Sequence, residues 1–416
     1  MSILNFTQTR SWRISLGDTA EDNFESKEWL RSEFSKIRDR FGLLLPEINR
    51  DLPDLTKHDL SHCDALWQMA DLIGGEELDL NPMEGFVLGS VFFLHDAALS
   101  LAALPGRLEE LRKDPLWTDT VITILRKHLG RQPTDEEIAK VDDGRDKETQ
   151  QWVAAIVLRT RHANYAQQLA MRPYTDTEGK QFYLIEDEAL RTHFGRDIGR
   201  IAASHGMSLE WVSENFNSQP LLPPVAGSCP PAWQVNRLKV ACLLRTCDAI
   251  HLDSRRAPGF LRAIRKPSVD SDPHWQFQRR ISVARDGDRI RFVSGFAFPT
   301  SEALAWWTGY GLIQNADREI RQVDALLADT GQPRFAARSV FGADSPERLK
   351  ETVPTDGWEP LEARVRVSNV AEVAKRLGGE NLYGQYSHRT VPCVNLSKTH
   401  VTLYARAACW NLAVIT

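Results

Sequence analysis

The sequence lacks the features of secreted, membrane-spanning and nucleic-acid-coating proteins. No apolar run reaches the ~20 residues that a transmembrane helix needs, and residues 1–8 lack the cationic start and apolar core of a signal peptide. The six cysteines include no CxxC pair, so no disulfide framework or thiolate metal site is indicated. A net charge of -5 gives no basic surface for a membrane, and nucleic acid is a possible partner that charge does not indicate. We therefore expect a cytoplasmic protein with reduced core thiols.

Apolar periodicity predicts a mainly α protein in which a helical core precedes a small α+β domain. The chain has 416 residues, of which 42% are hydrophobic and 26% charged, as in ordinary globular proteins. Apolar residues recur at helical spacing through most of the chain before residue 266. We divide the chain into an N-terminal helical segment (1–50), a helical domain (51–265), an α+β domain (266–369) and a terminal segment (370–416).

The pattern changes after about residue 266. The runs 275–283 and 289–298 alternate apolar with polar residues across Asp286-Gly287, which predicts a β-hairpin. A long amphipathic helix is predicted over 301–327, because its apolar residues form one stripe at helical spacing. Two further strands are predicted, over 335–341 and 361–367.

The most informative motif is the doublet His95-Asp96, which lies in a long apolar run. That run predicts a buried helix over 82–104. An imidazole and a carboxylate cost free energy on a buried helix unless they are paired or used. Taken alone, the doublet is equally consistent with a hydrogen-bonded core pair.

Other histidines and aspartates in helical contexts accompany the doublet. They are His62, His162, His205 and Asp248. Each also has a simpler interpretation, since His162 fits a solvated helix face and His205 a helix cap. Together, however, the six side chains offer imidazole and carboxylate donors, which suit divalent transition metals.

The order His, His-Asp, His, His, Asp resembles that of the HD-domain metal-dependent phosphohydrolases, in the version that binds two metal ions. The resemblance covers roughly residues 52–258. It implies a helical site with divalent ions, probable candidates being Mn, Fe, Zn, Ni, Co or Mg, and with Asp96 as the bridging ligand. The ligands shared by most HD domains would be His62, His95, Asp96 and Asp248, and His162 and His205 would complete a second metal site.

The resemblance also implies a reaction. Two divalent ions ~3.5–4 Å apart activate a water and neutralise the phosphate oxygens, so the expected partner is a phosphorylated small molecule or a nucleotide. We predict Asp96, Lys57 and Arg161 as catalytic residues, and Arg159, Arg255 and Arg256 as substrate-binding residues, although arginines that flank helices are often only solvated. His58, Asp64 and Asp253 are expected to support the ligands, whereas His128, His193 and His251 are predicted to be surface or packing residues.

A fainter resemblance is to a bacterial group in which an HD domain precedes a GHKL-type ATPase. The segment 370–384 is similar to the start of that ATPase, but the helix that carries its Glu and Asn and its Gly-rich lid have no counterpart in 385–416. We therefore expect no ATP binding through such a site and poor packing of that tail. The alternative to an enzyme is a non-catalytic nucleotide-sensing or regulatory module of an ATPase-linked stress or phage-defence protein. A homo-oligomer and a metal-free helical scaffold also remain open.

Overall fold

The computed structural model describes residues 5–17, 23–225 and 228–361, and helices dominate it. This confirms the predicted mainly α fold. The helices are α1 (Arg10–Ser15), α2 (Phe24–Leu44), α3 (Ile48–Asp51), α4 (Leu60–Gly74), α5 (Pro82–Leu94), α6 (Arg107–Leu111), α7 (Pro115–Leu129), α8 (Asp135–Asp142), α9 (Lys147–Leu169), α10 (Glu188–Ala203), α11 (Leu209–Phe216), α12 (Arg237–Ile250), α13 (Gly259–Arg265), α14 (Asp272–Gln278), α15 (Ala303–Asp329) and α16 (Pro346–Leu349). The strands are β1 (Tyr174–Thr175), β2 (Gln181–Phe182), β3 (Ile281–Asp286), β4 (Arg289–Ser294), β5 (Phe298–Pro299), β6 (Ser339–Val340) and β7 (Thr355–Asp356).

Helix α5 is the central element of the core. Every one of its residues is buried, and it packs against α1, α2, α4, α10 and α12. It begins with a capping box, in which the Asn81 side chain accepts hydrogen bonds from the backbone amides of Met83 and Glu84, and the Glu84 carboxylate accepts one from the Asn81 backbone amide. A helix that is apolar on all sides is stable only inside such a bundle.

The helix predicted over 82–104 ends earlier than expected, at Leu94. Two 3-10 turns follow it, and a side chain from α3 holds them in place. Asp51 Oδ2 accepts hydrogen bonds from Ser100 Oγ (2.8 Å) and from the Leu101 amide (2.7 Å). This contact satisfies backbone that would otherwise have continued the helix, so Asp96 lies at a bend, with φ -97° and ψ -4°.

The chain after residue 266 contains the predicted hairpin and the predicted long helix. Strands β3 and β4 pair antiparallel across a turn in which Gly287 adopts a φ of 60°. The first strand starts at Ile281, however, because Trp275 to Gln278 belong to helix α14, and the predicted strand start at 275 is therefore wrong. Of the strand predicted over 335–341, only β6 is present, parallel to β4.

Helices α14 and α15 pack closely against each other and α15 also packs on α12. The closest approach is at Gly309, where an ideal Cβ would lie 2.1 Å from the Phe277 ring. The apolar stripe of α15 is buried as predicted, with Ile313, Ile320 and Val323 among its members. No helix within the described residues is long and apolar enough to cross a membrane. Residues 362–416, which include most of the predicted strand 361–367 and the ATPase-like segment with its tail, lie outside the described part.

Candidate metal centre

Four of the six predicted ligands meet in one group. His62 lies near the start of α4, His95 follows the end of α5, Asp96 lies at the bend and Asp248 lies in the last turn of α12. One donor atom from each lies within 4.8 Å of the others. The two imidazole Nε2 atoms of His62 and His95 are 3.3 Å apart, and each lies 3.5–3.7 Å from Asp248 Oδ1. The sequence separation of nearly two hundred residues is bridged by the packing of α4, α5 and α12.

The remaining two ligands form a second group with Asp96. His162 on α9 and His205, in the turn after α10, have Nε2 atoms 2.9 Å apart. Asp96 directs one carboxylate oxygen to each group: Oδ2 lies 3.1 Å from His95 Nε2, and Oδ1 lies 3.8 Å from His162 Nε2. The bend at the end of α5 therefore gives one carboxylate two faces, as a bridging ligand requires.

Three of the histidines are fixed in one tautomer by their own backbone. In each, Nδ1 donates a hydrogen bond to the carbonyl three residues earlier in the chain. The Nδ1···O distances are 2.9 Å for His95, 2.8 Å for His162 and 2.6 Å for His205. A proton on Nδ1 leaves the Nε2 lone pair pointing into the site, which is the arrangement of metal-binding histidines.

A family comparison agrees with this arrangement. The model of the HD-CE family matches residues 52–322, which is more than half of the chain. The chain belongs to the HD-CE family. No curated protein and no solved structure matches it.

The fourth histidine of the HD-CE site, His62, is held by another histidine instead of a carbonyl. Its Nδ1 lies 2.7 Å from Nδ1 of His251, and the two rings stack with an interplanar angle of 2°. His251 Nε2 in turn lies 3.5 Å from Asp253 Oδ1. His251 was predicted to be a surface or packing residue, but it is completely buried and supports a ligand. Its position three residues after Asp248 was the available signal.

Charge in the site suits divalent cations. Burial lowers the pKa of His162. Burial and the nearby Arg256 cation lower the pKa of His62. Burial and the neighbouring His162 lower the pKa of His205 to about 4. Burial also acts on His95, but the Asp96 and Asp248 carboxylates outweigh it and raise its pKa to about 10. A metal ion that binds to His95 therefore competes with the proton on this imidazole.

The donor set itself fits transition metals. The two carboxyls keep pKa values below the usual range, because His95 beside them outweighs the effect of burial, so both are charged. Cys63 and Cys247 each adjoin a ligand in sequence, but burial raises the pKa of both thiols and neither is in the ligand groups. Imidazole and carboxylate donors without thiolate suit Mn²⁺, Fe²⁺, Co²⁺, Ni²⁺ or Zn²⁺.

A cavity of about 280 Å³ adjoins the ligands. Asp96, His162, His205 and Asp248 line it, together with residues of α14 and α15. Of the predicted substrate-binding residues, Arg159 and Arg256 line this cavity. The HD-CE site therefore has room for a small ligand beside the candidate metal positions.

Arg256 and His58 form a pair at the edge of the ligand group. An Arg256 guanidinium nitrogen donates to His58 Nε2 (2.5 Å), and another lies 3.7 Å from Asp248 Oδ1. His58 Nδ1 donates to the Thr56 carbonyl, 2.6 Å away. Burial and the Arg256 cation lower the pKa of His58 to about 3, so this imidazole is neutral. His58 thus contacts Arg256 at the edge of the cavity, whereas its expected role was to support a metal ligand.

The three other predicted cations lie outside the cavity lining. Each contacts a carboxylate: Lys57 Nζ is 3.1 Å from Asp59, Arg161 Nε is 3.2 Å from Asp114, and Arg255 forms two hydrogen bonds with Asp253. Because these pairs already satisfy the cations, the contacts favour structural roles for them. Arg255 also donates to Gln68 Oε1 (2.7 Å), which holds the segment after α12 against α4.

Arg245 and Glu319 form a partly buried ion pair at the cavity wall, and neither was selected from the sequence. Arg245 also donates to the carbonyls of Ser204 and Met207, on either side of His205. It therefore connects α12, α15 and the turn that carries a ligand. The position of Arg245 one helical turn before Asp248 was the only sequence signal.

We expect His251→Phe to weaken metal binding about 10- to 100-fold, because this is the usual cost of losing a group that orients a metal-binding histidine. The ring volume is kept, but the hydrogen bond from His62 Nδ1 is lost. Calorimetric titration of the chelator-treated protein with Mn²⁺ measures the change. His128→Phe is the control, since His128 is exposed on α7 and contacts only Trp152 among the described aromatic rings. Equal affinity of the two variants would contradict the role of His251.

Proposed function

We propose that this HD-CE protein is a two-metal phosphohydrolase or phosphodiesterase that acts on a nucleotide or a related phosphate ester. The observation that carries the proposal is Asp96, whose two oxygens face two separate groups of ligands. Pairs of divalent ions that share a carboxylate provide an activated water and charge neutralisation for phosphate ester hydrolysis. His62, His95, Asp96 and Asp248 would hold one ion, and Asp96, His162 and His205 the other.

The chain's own cations supply the rest of the site. Arg159 and Arg256 line the cavity beside the ligands, and Arg side chains bind phosphate oxygens through two parallel hydrogen bonds. We propose that Arg256, oriented by His58, contacts the substrate phosphate. The burial of His62, His95 and His162 keeps bulk water from these parts of the site, which strengthens the contacts made there.

Metal analysis tests the proposal directly. We expect the protein, purified without chelator, to contain about two equivalents of transition metal, and the double variant His162→Ala/His205→Ala to contain about one. Elemental analysis measures both, and bis(4-nitrophenyl) phosphate with added Mn²⁺ measures hydrolysis. Wild-type protein with no metal and no hydrolysis would contradict the proposal, whereas metal and nucleotide binding without turnover would favour a regulatory module.

A further inference from the structure

Two polar side chains of α14 line the same cavity as Asp96, His162, His205 and Asp248. His274 and Gln278 lie one helical turn apart, with 7% and 5% of their surfaces exposed. Neither side chain forms a hydrogen bond within residues 5–17, 23–225 and 228–361; His274 Nε2 and Gln278 Oε1 are buried without any partner. Burial lowers the pKa of His274 to about 4, with a further effect from the Arg159 cation, so this imidazole is neutral.

Buried polar groups without partners are costly, at ~1–3 kcal/mol each, and natural proteins keep few of them. On α14 both are placed at a cavity, so a ligand is the natural source of the missing hydrogen bonds. The imidazole offers one donor and one acceptor, and the Gln278 amide offers both kinds as well. Together they match a group that presents alternating donors and acceptors along one edge.

The other residues of the cavity restrict the shape of that group. Leu55, Leu99, Leu252, Leu312 and Ala316 also line it. Ser271, Asn315 and Glu319 add polar groups to the lining, so an acyl chain would leave several polar side chains unsatisfied, and a sugar alone would leave the apolar side chains without contacts. A planar heterocycle has apolar faces and a polar edge, and it meets both requirements.

We propose that α14 forms the base-binding subsite of the cavity, in which His274 and Gln278 bind the edge of a nucleobase whose phosphate lies at the metal ligands. Only the placement of the phosphate at the metal ligands rests on the proposed function; the binding of the base does not depend on it. The cavity volume of about 280 Å³ is close to the lower limit of ligand pockets, which suits a ligand of about the size of a single nucleotide.

Calorimetry on the full-length protein with Mn²⁺ tests this subsite. The probes are the four common ribonucleoside 5′-monophosphates, with ribose 5-phosphate as the probe that lacks a base. We expect at least one nucleotide to bind about 10-fold or more tightly than ribose 5-phosphate, because one or two additional hydrogen bonds are worth about that factor. Gln278→Met and His274→Leu should each reduce this ratio about 5- to 10-fold.

Gln276→Met is the matched control, since Gln276 lies on the same helix outside the cavity and donates to Asp272. It should leave the ratio within about twofold of the wild-type value. Equal affinity for ribose 5-phosphate and all four nucleotides would overturn the subsite. An affinity ratio that is unchanged in both Gln278→Met and His274→Leu would also overturn it, because water would then satisfy these two side chains. Either result leaves the phosphohydrolase proposal standing. Absence of hydrolysis, with tighter binding of a nucleotide than of ribose 5-phosphate, would contradict the phosphohydrolase proposal and leave the base-binding subsite standing.

Discussion

Asp96→Ala should abolish metal-dependent hydrolysis while the protein stays folded. The substitution removes the one side chain common to both ligand groups, and with it the bridging carboxylate. Two-metal activation contributes several kcal/mol to transition-state stabilisation, and each ~1.4 kcal/mol is a factor of ten, so we expect kcat to fall at least about 1,000-fold. Hydrolysis of bis(4-nitrophenyl) phosphate with Mn²⁺ and thermal unfolding of the same sample give the two readouts.

The fold should survive because Asp248 still lies 3.7 Å from His95 Nε2, and because His95 can release its proton once the Asp96 charge is gone instead of staying a buried unpaired cation. Asp64→Ala is the control carboxylate: Asp64 lies on α4 close to the site but pairs with Arg38, with N–O distances of 2.7 and 3.1 Å. It should retain activity. Turnover at the wild-type rate in folded Asp96→Ala protein would remove Asp96 from the mechanism.

Gly309→Ala should be among the most destabilising single-methyl changes in the described chain. The added Cβ would lie 2.1–2.3 Å from three atoms of the Phe277 ring, which is fully buried and stacks on Phe298. The ring has no free space to move into, so α14 must shift. We expect the free energy of unfolding to fall by about 3 kcal/mol, the upper end of the usual cost of overpacking. Urea unfolding, followed by tryptophan fluorescence, measures the loss.

Gly311→Ala provides the matched control two residues further along α15. Nothing lies within 4 Å of the Cβ position there, so the change only improves helix propensity. It should raise the free energy of unfolding by up to ~1 kcal/mol. Opposite signs for the two substitutions would confirm the close packing of α14 on α15, and a stable Gly309→Ala protein would contradict it.

The ligand set could be predicted from the sequence because its pattern is local. Each ligand stands in a recognisable helical context, and the order of the six residues indicated an HD-type site. The helical core was predictable for the same reason, since the stripe of α15 repeats over many turns. Only the fold, however, could show that Asp96 faces both groups.

The errors arose where distant residues decide local structure. Nothing in the apolar run after His95 shows that Asp51, far away in sequence, takes up the amide of Leu101 and ends α5. Residues 275–278 of α14 were predicted as strand because apolar and polar residues alternate there, and over so few residues this alternation also fits a short helix that is mostly buried. Pro273 at its first turn was the available signal. The partnerless state of Gln278 could only be read from the packed structure.

The lining of the cavity comes from successive stretches of the chain. All six candidate metal ligands precede α13, whereas the lining residues of α14 and α15 follow it. During synthesis on the ribosome, which adds ~5–20 residues per second and releases N-terminal parts first, the ligands are available before these lining residues exist. The same order has an evolutionary consequence. Substitutions or recombination after residue 265 can change which ligand fits while the ligand-bearing helices keep their sequence, so selectivity and chemistry can diverge independently among descendants of one gene.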